Sequence, residues 1–237
     1  MTQKYLAFCM FILFSTATWA QQSDNNAPWK SLFNGKNLNG WQMKGSNGVA
    51  MVQDGAIVCH QLVNTPQHTF VCTKKKYENY ILEADAMIEG SLHTGFILRA
   101  VDAIGDTAHV SLYGYQVKID PSNRKWTGGV FDDFGNKWNW LYTLENSEKS
   151  RSAFKMFEWN HFRIEAIGNN IKVWVNDIPT CNLVNSKYTK GYIAMKIHSM
   201  IATPEMEKVL MRYKNIRIIT RNPEKYQKAM DLPLKEN

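Results

Sequence analysis

An all-β domain, folded as a two-sheet antiparallel sandwich or jelly roll, is what this 237-residue sequence predicts. Short runs of alternating apolar and polar residues recur along most of the chain, and most are bounded by Gly, Asn, Asp or Pro turns. Helical periodicity is confined to short pieces, one after Pro204 and one over Pro223 to Met230. The 44% apolar and 12% aromatic content can fill a sizeable single core.

The chain opens with Lys4, an apolar run from Tyr5 to Phe14 and small residues ending at Ala20. This reads as a secretory signal peptide cut near Ala20, which predicts a periplasmic or extracellular protein. The apolar run is too short to span a bilayer comfortably, and no second hydrophobic segment follows, so stable membrane insertion is not expected. Phe8 before Cys9 fits a lipoprotein cleavage site poorly. Residues 21–28 read as a flexible tail, 29–220 as the jelly-roll domain and 221–237 as a C-terminal extension with a loosely docked end. Lys4 is the only charge in the signal, so its removal lowers the net charge from +7 to +6. The lysines are scattered and the densest run, Lys74 to Lys76, reads as a turn, so a nucleic-acid partner is not expected. Cys59, Cys72 and Cys181 remain, an odd number. Cys59 and Cys72 lie in neighbouring predicted strands and are compatible with either a disulfide or buried thiols.

Strands are predicted at Gly48 to Gln53, Ala56 to His60, Thr69 to Thr73, Tyr80 to Ile88 and Thr94 to Ala100. They continue at His109 to Asp120, Gly128 to Asp132, His161 to Ile167, Asn170 to Asn176, Gly191 to His198 and Met211 to Ile219. Gly168-Asn169 reads as a hairpin turn. Alternation also assigns faces. Tyr115, Val117 and Ile119 turn inward, which sends Gln116, Lys118 and Asp120 outward. Phe96 and Leu98 turn inward, leaving His93, Gly95, Ile97 and Arg99 outside. Ile193, Met195 and Ile197 leave Lys196 and His198 outside, and Val173 and Val175 leave Trp174 outside. If these strands adjoin, their outer residues line one groove of hydrogen-bonding groups with an indole platform, which suits a sugar. His60, His68, His109 and His161 have no constellation around them, and Trp41 and Trp159 read as packing.

Several segments resemble, in order, the 3-keto-disaccharide hydrolase domain family. They are LFNGKNLNGW (Leu32 to Trp41), TGFILRA (Thr94 to Ala100), GYQVKID (Gly114 to Asp120) and WTGGVFDD (Trp126 to Asp133). EWNHFRIEAIGNNIKVWVND (Glu158 to Asp177), GYIAMKIH (Gly191 to His198) and YKNIRI (Tyr213 to Ile218) complete the set. The resemblance implies a concanavalin-A-like jelly roll of the lectin/glucanase type with a carbohydrate groove on its concave face, and cleavage of glycosides oxidised to a ketone at C3. This chain departs from the family pattern at His93, where Asn is usual, Lys118, where Glu is usual, Asp133, where Glu is frequent, and Lys196, where Gln is usual.

The implied reaction needs a base for the acidified C2 hydrogen, a cation or donor for the enolate oxygen, and an acid for the leaving group. His198 and Asp120 are the candidate bases, and Arg99 or Lys118 the candidate enolate stabilisers. Asp132 or Asp133 would be the acid, or would hold a divalent ion such as Ca²⁺; a transition metal on a His–Asp set is the other metal possibility. Gln116, Lys118, Trp174, Lys196 and His93 are the expected substrate contacts. A lectin-like, non-catalytic module would use the same groove. The three-acid strand of a paired-carboxylate glucanase is missing, since Glu83 to Asp85 lacks a third acid.

Overall fold

The structure, a computed structural model, describes residues 27–46, 48–62, 67–103, 111–132, 139–199 and 204–236. The expected signal peptide, His109 and Asp133 lie outside the described residues. The strands are β1 (Lys30–Ser31), β2 (Trp41–Gly45), β3 (Val49–Gln53), β4 (Ala56–His60), β5 (Thr69–Thr73), β6 (Tyr80–Ile88), β7 (Thr94–Asp102) and β8 (Leu112–Ile119). They continue as β9 (Val130–Asp132), β10 (Trp140–Tyr142), β11 (Asn160–Ile167), β12 (Asn170–Val175), β13 (Ile178–Val184), β14 (Tyr192–Ile197), β15 (Met211–Ile219) and β16 (Lys235–Glu236). Helix is limited to α1 (Glu148–Arg151), α2 (Pro204–Glu207) and a 3-10 turn over Pro223–Tyr226, shorter than the segment expected there. No described helix is long and apolar enough to cross a membrane.

These strands form two sheets. The larger has the order β16-β13-β12-β11-β6-β15-β4-β3, with β1 added on β15, and the smaller has the order β10-β9-β8-β7-β14-β5-β2. All pairings are antiparallel except β13 with β16. The predicted alternation holds along β8 and β14: Tyr115, Val117, Ile119, Ile193, Met195 and Ile197 sit in the core between the sheets. The β11–β12 hairpin turns at Gly168, whose φ of +55° suits a residue without a Cβ.

The two sheets meet through aromatic contacts at the centre. Phe96 on β7 lies 5.4 Å from Phe162 on β11 and 5.5 Å from Tyr213 on β15, centroid to centroid. The Thr94 hydroxyl donates to the Lys196 carbonyl at 2.5 Å, so the Tyr213 hydroxyl, 2.7 Å away, must be the donor to Thr94. That chain ties the larger sheet to the adjoining strands β7 and β14 of the smaller one.

Two expectations are corrected. Cys59 lies on β4 of the larger sheet and Cys72 on β5 of the smaller; all three described cysteines are buried free thiols. Burial raises the Cys59 thiol to about 12 and, against the opposing pull of Lys44, the Cys72 thiol to about 11, so both stay protonated. The C-terminal end is not loosely docked. Tyr226 accepts a hydrogen bond from Arg163, the Lys228 amide donates to Glu165, Leu232 accepts from Asn182, and β16 pairs with β13.

Candidate functional site

The pairing register lays out the outer face of the smaller sheet in rows. Phe131, Gln116, Ile97, Ala194 and Cys72 pair across β9, β8, β7, β14 and β5, and Trp140 on β10 extends the row beyond Phe131. One step along the strands, Lys118 pairs with Gly95, and Lys196 pairs with Phe70. At the strand ends, Asp120, His93, His198 and His68 form a third, polar row. This face is recessed: Gln116 is fully buried, and Lys118, Lys196 and Asp120 keep 9%, 3% and 2% of their surface exposed.

The floor is flat at Gly95. Its φ is +154°, and a Cβ there would fall 2.2 Å from the Val117 carbonyl oxygen. Any side chain would push β7 off β8 between the two lysines. Gln116 is fixed by donating to the Thr94 carbonyl at 3.1 Å, and its side-chain oxygen lies 3.5 Å from the Lys118 ammonium.

The polar row has defined tautomers. His198 Nδ1 lies 2.7 Å from the Ser199 carbonyl, which can only accept, so Nδ1 carries the proton and Nε2 is the basic nitrogen. Burial, then the neighbouring Lys196 and Lys118, push His198 down to about 3, so the imidazole is neutral in the free protein. The His68 ring packs 4.4 Å from His198, and its Nδ1 accepts from the Ser199 amide at 2.8 Å. His93 Nδ1 stands 3.4 Å from Asp120 Oδ1. Burial and Lys118 lower the His93 imidazole, with Asp120 opposing them. Asp120 also accepts from the Ser122 amide at 3.1 Å and lies 3.3 Å from the Arg124 guanidinium. Burial alone would raise its carboxyl, but Ser122, His93 and Arg124 together hold it below the ordinary value.

Aromatic surface flanks this row. Trp140 meets Phe131 at 5.6 Å and Trp126 at 5.0 Å, both edge-on. Arg124 lies over Trp126 and Trp140 at 5.5 and 5.7 Å, and the Lys118 ammonium lies 5.5 Å from the Phe131 ring centroid. Three buried polar atoms here, His93 Nδ1, Asp120 Oδ2 and Trp140 Nε1, make no hydrogen bond among the described residues. His93 Nδ1 and Asp120 Oδ2 instead stand at ion-pair distance from Asp120 Oδ1 and the Arg124 guanidinium, which leaves the Trp140 indole N–H as the buried donor here without a hydrogen bond among the described residues.

The structure brings together Gln116, Lys118, Asp120, His93, Lys196 and His198, and removes three expected members. Arg99 faces away because β7 bulges between Leu98 and Val101 and Arg99 adopts a φ of +50°. Its guanidinium donates to the carbonyls of Glu78 and Tyr188 and is nearly fully buried. Asp132 pairs in register with inward-facing Tyr115 and accepts from Lys187, Tyr188 and Asn139, so its oxygens are taken. Trp174 does point outward, but on the larger sheet, packed beside Arg163 and Pro179. Asp133 is outside the described residues. With Asp132 engaged, the proposed divalent-ion site loses a ligand, and no described group of three His, Cys, Asp or Glu is arranged to hold a metal. His68, Arg124, Trp126, Phe131 and Trp140 were not anticipated. Arg124 and Trp126 stand in the connection between β8 and β9, and only the folded turn places Arg124 beside Asp120.

This geometry sits on a chain whose residues 28–219 match the 3-keto-alpha-glucoside-1,2-lyase-like domain. The chain belongs to that family. Among solved structures it is similar to a glycosyl-hydrolase candidate from Parabacteroides distasonis, at 17% identity over 82% of this chain and 94% of that one, TM-score 0.55. It is also similar to the carbohydrate-binding module CBM66 from Bacillus subtilis, at 12% identity over 75% and 94%, TM-score 0.53. A galectin-like protein from Bacillus subtilis matches at 10% identity over 81% and 94%, TM-score 0.54. These likenesses establish the sandwich fold. No curated protein sequence matches the chain.

A second concavity, about 720 Å³, opens on the larger sheet near Trp29, Asp85, His161 and Arg217. Here His161 does have a constellation: it bonds Asp85 at 2.8 Å and lies 3.9 Å from Glu83. Glu83 accepts from Arg163 and Arg217, and Asp85 accepts from Asn215. The carboxylates are thus satisfied within the protein, and the network reads as a support for the outer face of that sheet. The outer face of the smaller sheet, where His198, His93, Asp120 and two lysines gather, is the better candidate site.

Proposed function

We propose that this chain is an exported carbohydrate-active protein that cleaves 3-keto-glycosides by elimination in the recess of the smaller sheet. The observation that carries the proposal is the neutral His198, with Nε2 its basic nitrogen, beside two buried lysines and the Asp120–His93 pair, flanked by the aromatic surface of Trp140 and Phe131. Sugar hydroxyls meet such atoms in pairs, and aromatic surface takes the ring's apolar face. Family membership and the names of similar structures, a glycosyl-hydrolase candidate and a carbohydrate-binding module, support a sugar ligand.

In this reading His198 Nε2 takes the C2 proton, its Nδ1–H held by the Ser199 carbonyl. The Lys118 ammonium steadies the negative charge that builds on the C3 oxygen. The C1–O bond then breaks, the leaving oxygen takes a proton, and water adds later to the unsaturated sugar. The proton that His198 has taken is the one available to the leaving oxygen, and His93, held beside Asp120, is the hydrogen-bonding contact for that oxygen. Asp120 is placed as an orienting carboxylate because Ser122, Arg124 and His93 stabilise its charged form. Export is inferred from the N-terminal segment ending at Ala20.

Purified protein incubated with a 3-keto-glucoside should release the aglycone, while the unoxidised glucoside should be left intact. Binding of both sugars without release of either would overturn the catalytic reading and leave a lectin-like role, which the same recess supports.

A further inference from the structure

Resting on the assignment of His198 as the base, we propose that His68 is the residue that positions it. By accepting the Ser199 amide on its Nδ1, His68 fixes the Ser199 carbonyl that in turn holds the His198 proton on Nδ1.

Strand β14 ends at Ile197, its last paired position opposite Thr69 of β5. Ser199 lies past that point, so strand pairing does not set the direction of its carbonyl. Register carried one step beyond Lys196 and Phe70 sets His198 opposite His68, and the two rings meet at 4.4 Å. The Ser199 amide donates to His68 Nδ1 at 2.8 Å, and the Ser199 hydroxyl lies 2.9 Å from the same nitrogen. An amide N–H can only donate, so His68 Nδ1 is an acceptor. The two histidines therefore hold one residue between them: His68 takes the Ser199 amide, and His198 gives its Nδ1–H to the Ser199 carbonyl at 2.7 Å. His68 is itself pinned from β2. Its carbonyl accepts from the Ser46 amide at 3.4 Å, and a Cβ at Gly45, where φ is +97°, would fall 2.1 Å from that oxygen.

The chemical consequence is the tautomer of the base. His198 can take the C2 proton on Nε2 only while its own proton sits on Nδ1. Once Nε2 is protonated, the Nδ1–H bond to the Ser199 carbonyl becomes charge-assisted and strengthens, as long as that carbonyl still faces the ring. A ring released from Ser199 is free to carry its proton on Nε2, and in that form Nε2 has no lone pair for the substrate.

Two substitutions separate the acceptor from the ring. His68→Asn keeps an oxygen that can accept from the Ser199 amide, whereas His68→Phe keeps an aromatic ring and has no acceptor. Nitrogen-detected NMR of the purified variants reads the His198 tautomer, and turnover of a 3-keto-glucoside reads the base. In His68→Asn the His198 proton should stay on Nδ1, and kcat should stay within about threefold of the wild type. In His68→Phe the Nδ1 form should become the minority. There kcat should fall at least about tenfold while KM changes by less than about twofold, because the base is lost and not a substrate contact. Thermal melts establish that the variants are folded, and His68→Leu takes the place of His68→Phe should the larger ring not pack. A His198 that keeps its Nδ1 proton in the folded Phe or Leu variant overturns the proposal. Loss of that proton in His68→Asn overturns it as well, since the ring and not the acceptor would then be what matters. If the wild type leaves the keto sugar intact while the tautomers follow the expected order, the base role of His198 falls and the positioning by His68 stands.

Discussion

His198 concentrates the chemistry of the recess in one side chain. Its Nδ1 proton is committed to the Ser199 carbonyl, and burial with two neighbouring ammonium groups keeps the ring neutral. Its folded value of about 3 lies below the ordinary 6.5. The sign follows: above about pH 6.5 the residue adds nothing to pH-dependent stability, and as the pH falls toward 3 the unfolded chain gains a proton that the folded one does not. Nitrogen-detected NMR should find the His198 ring neutral, with the proton on Nδ1, throughout about pH 5 to 8. A ring that titrates near 6.5 would remove the burial and lysine account. If the proposed base assignment holds, His198→Ala lowers turnover at least about a hundredfold while the melting temperature at neutral pH changes little. Full activity in that variant would transfer the base role elsewhere.

Individual elements set which of these residues could be found beforehand. Along β8 the alternation is unbroken, so the inward Tyr115, Val117 and Ile119 correctly placed Gln116 and Lys118 on the other face. Along β7 the same rule failed at one residue. The bulge after Leu98 carries no Gly or Pro to announce it, and Arg99 was assigned the wrong face. Trp174 exposes a different limit: parity says inward or outward, but only strand order says which sheet. The 3-residue β10 is too short for alternation to be readable, so Trp140 went unnoticed. The pairing of β6 with β11 likewise places His161 opposite Asp85, a contact between residues far apart in sequence. Hydrogen bonds to Asp85 and Glu83 outweigh burial and raise His161 from 6.5 to about 9. Burial alone would raise Glu83, but bonds from His161, Arg217 and Arg163 bring it down from 4.5 to about 2. The His161 contribution is therefore complete below pH 6.5 and lost as pH rises through 9; the Glu83 contribution is complete above 4.5 and lost as pH falls toward 2. Urea midpoints should decline between about pH 7 and pH 10, and His161→Gln should flatten that decline. An equally steep decline in the variant would show that other groups cause it.

At the scale of the whole molecule, the two outer faces have different tasks. The smaller sheet gathers His93, Asp120, His198 and two lysines on its outer face, whereas the larger sheet packs Arg163, Glu165 and Asn182 against the chain's own C-terminal segment. Arg163 and Glu165 are each about 1% exposed and pair at 3.0 Å. Each also uses that segment, Arg163 through the Tyr226 carbonyl and Glu165 through the Lys228 amide. Burial raises the Glu165 carboxyl despite these bonds, so it depends on every partner it has. Deleting residues 221–237 removes both partners, the Leu232 bond to Asn182 and the β16 pairing together. Water would reach the exposed pair and recover part of the loss, so the net destabilisation expected is about 2–4 kcal/mol, within the range for breaking buried polar partners. The recess lies on the other sheet, with the aromatic core in between, so sugar affinity of the folded truncated protein should stay within about twofold, the additive behaviour of distant sites. Urea unfolding gives the first quantity and calorimetry below the transition the second. An unchanged midpoint would mean the segment is only an appendage; a large loss of sugar affinity with the fold intact would mean the two faces are coupled through the core.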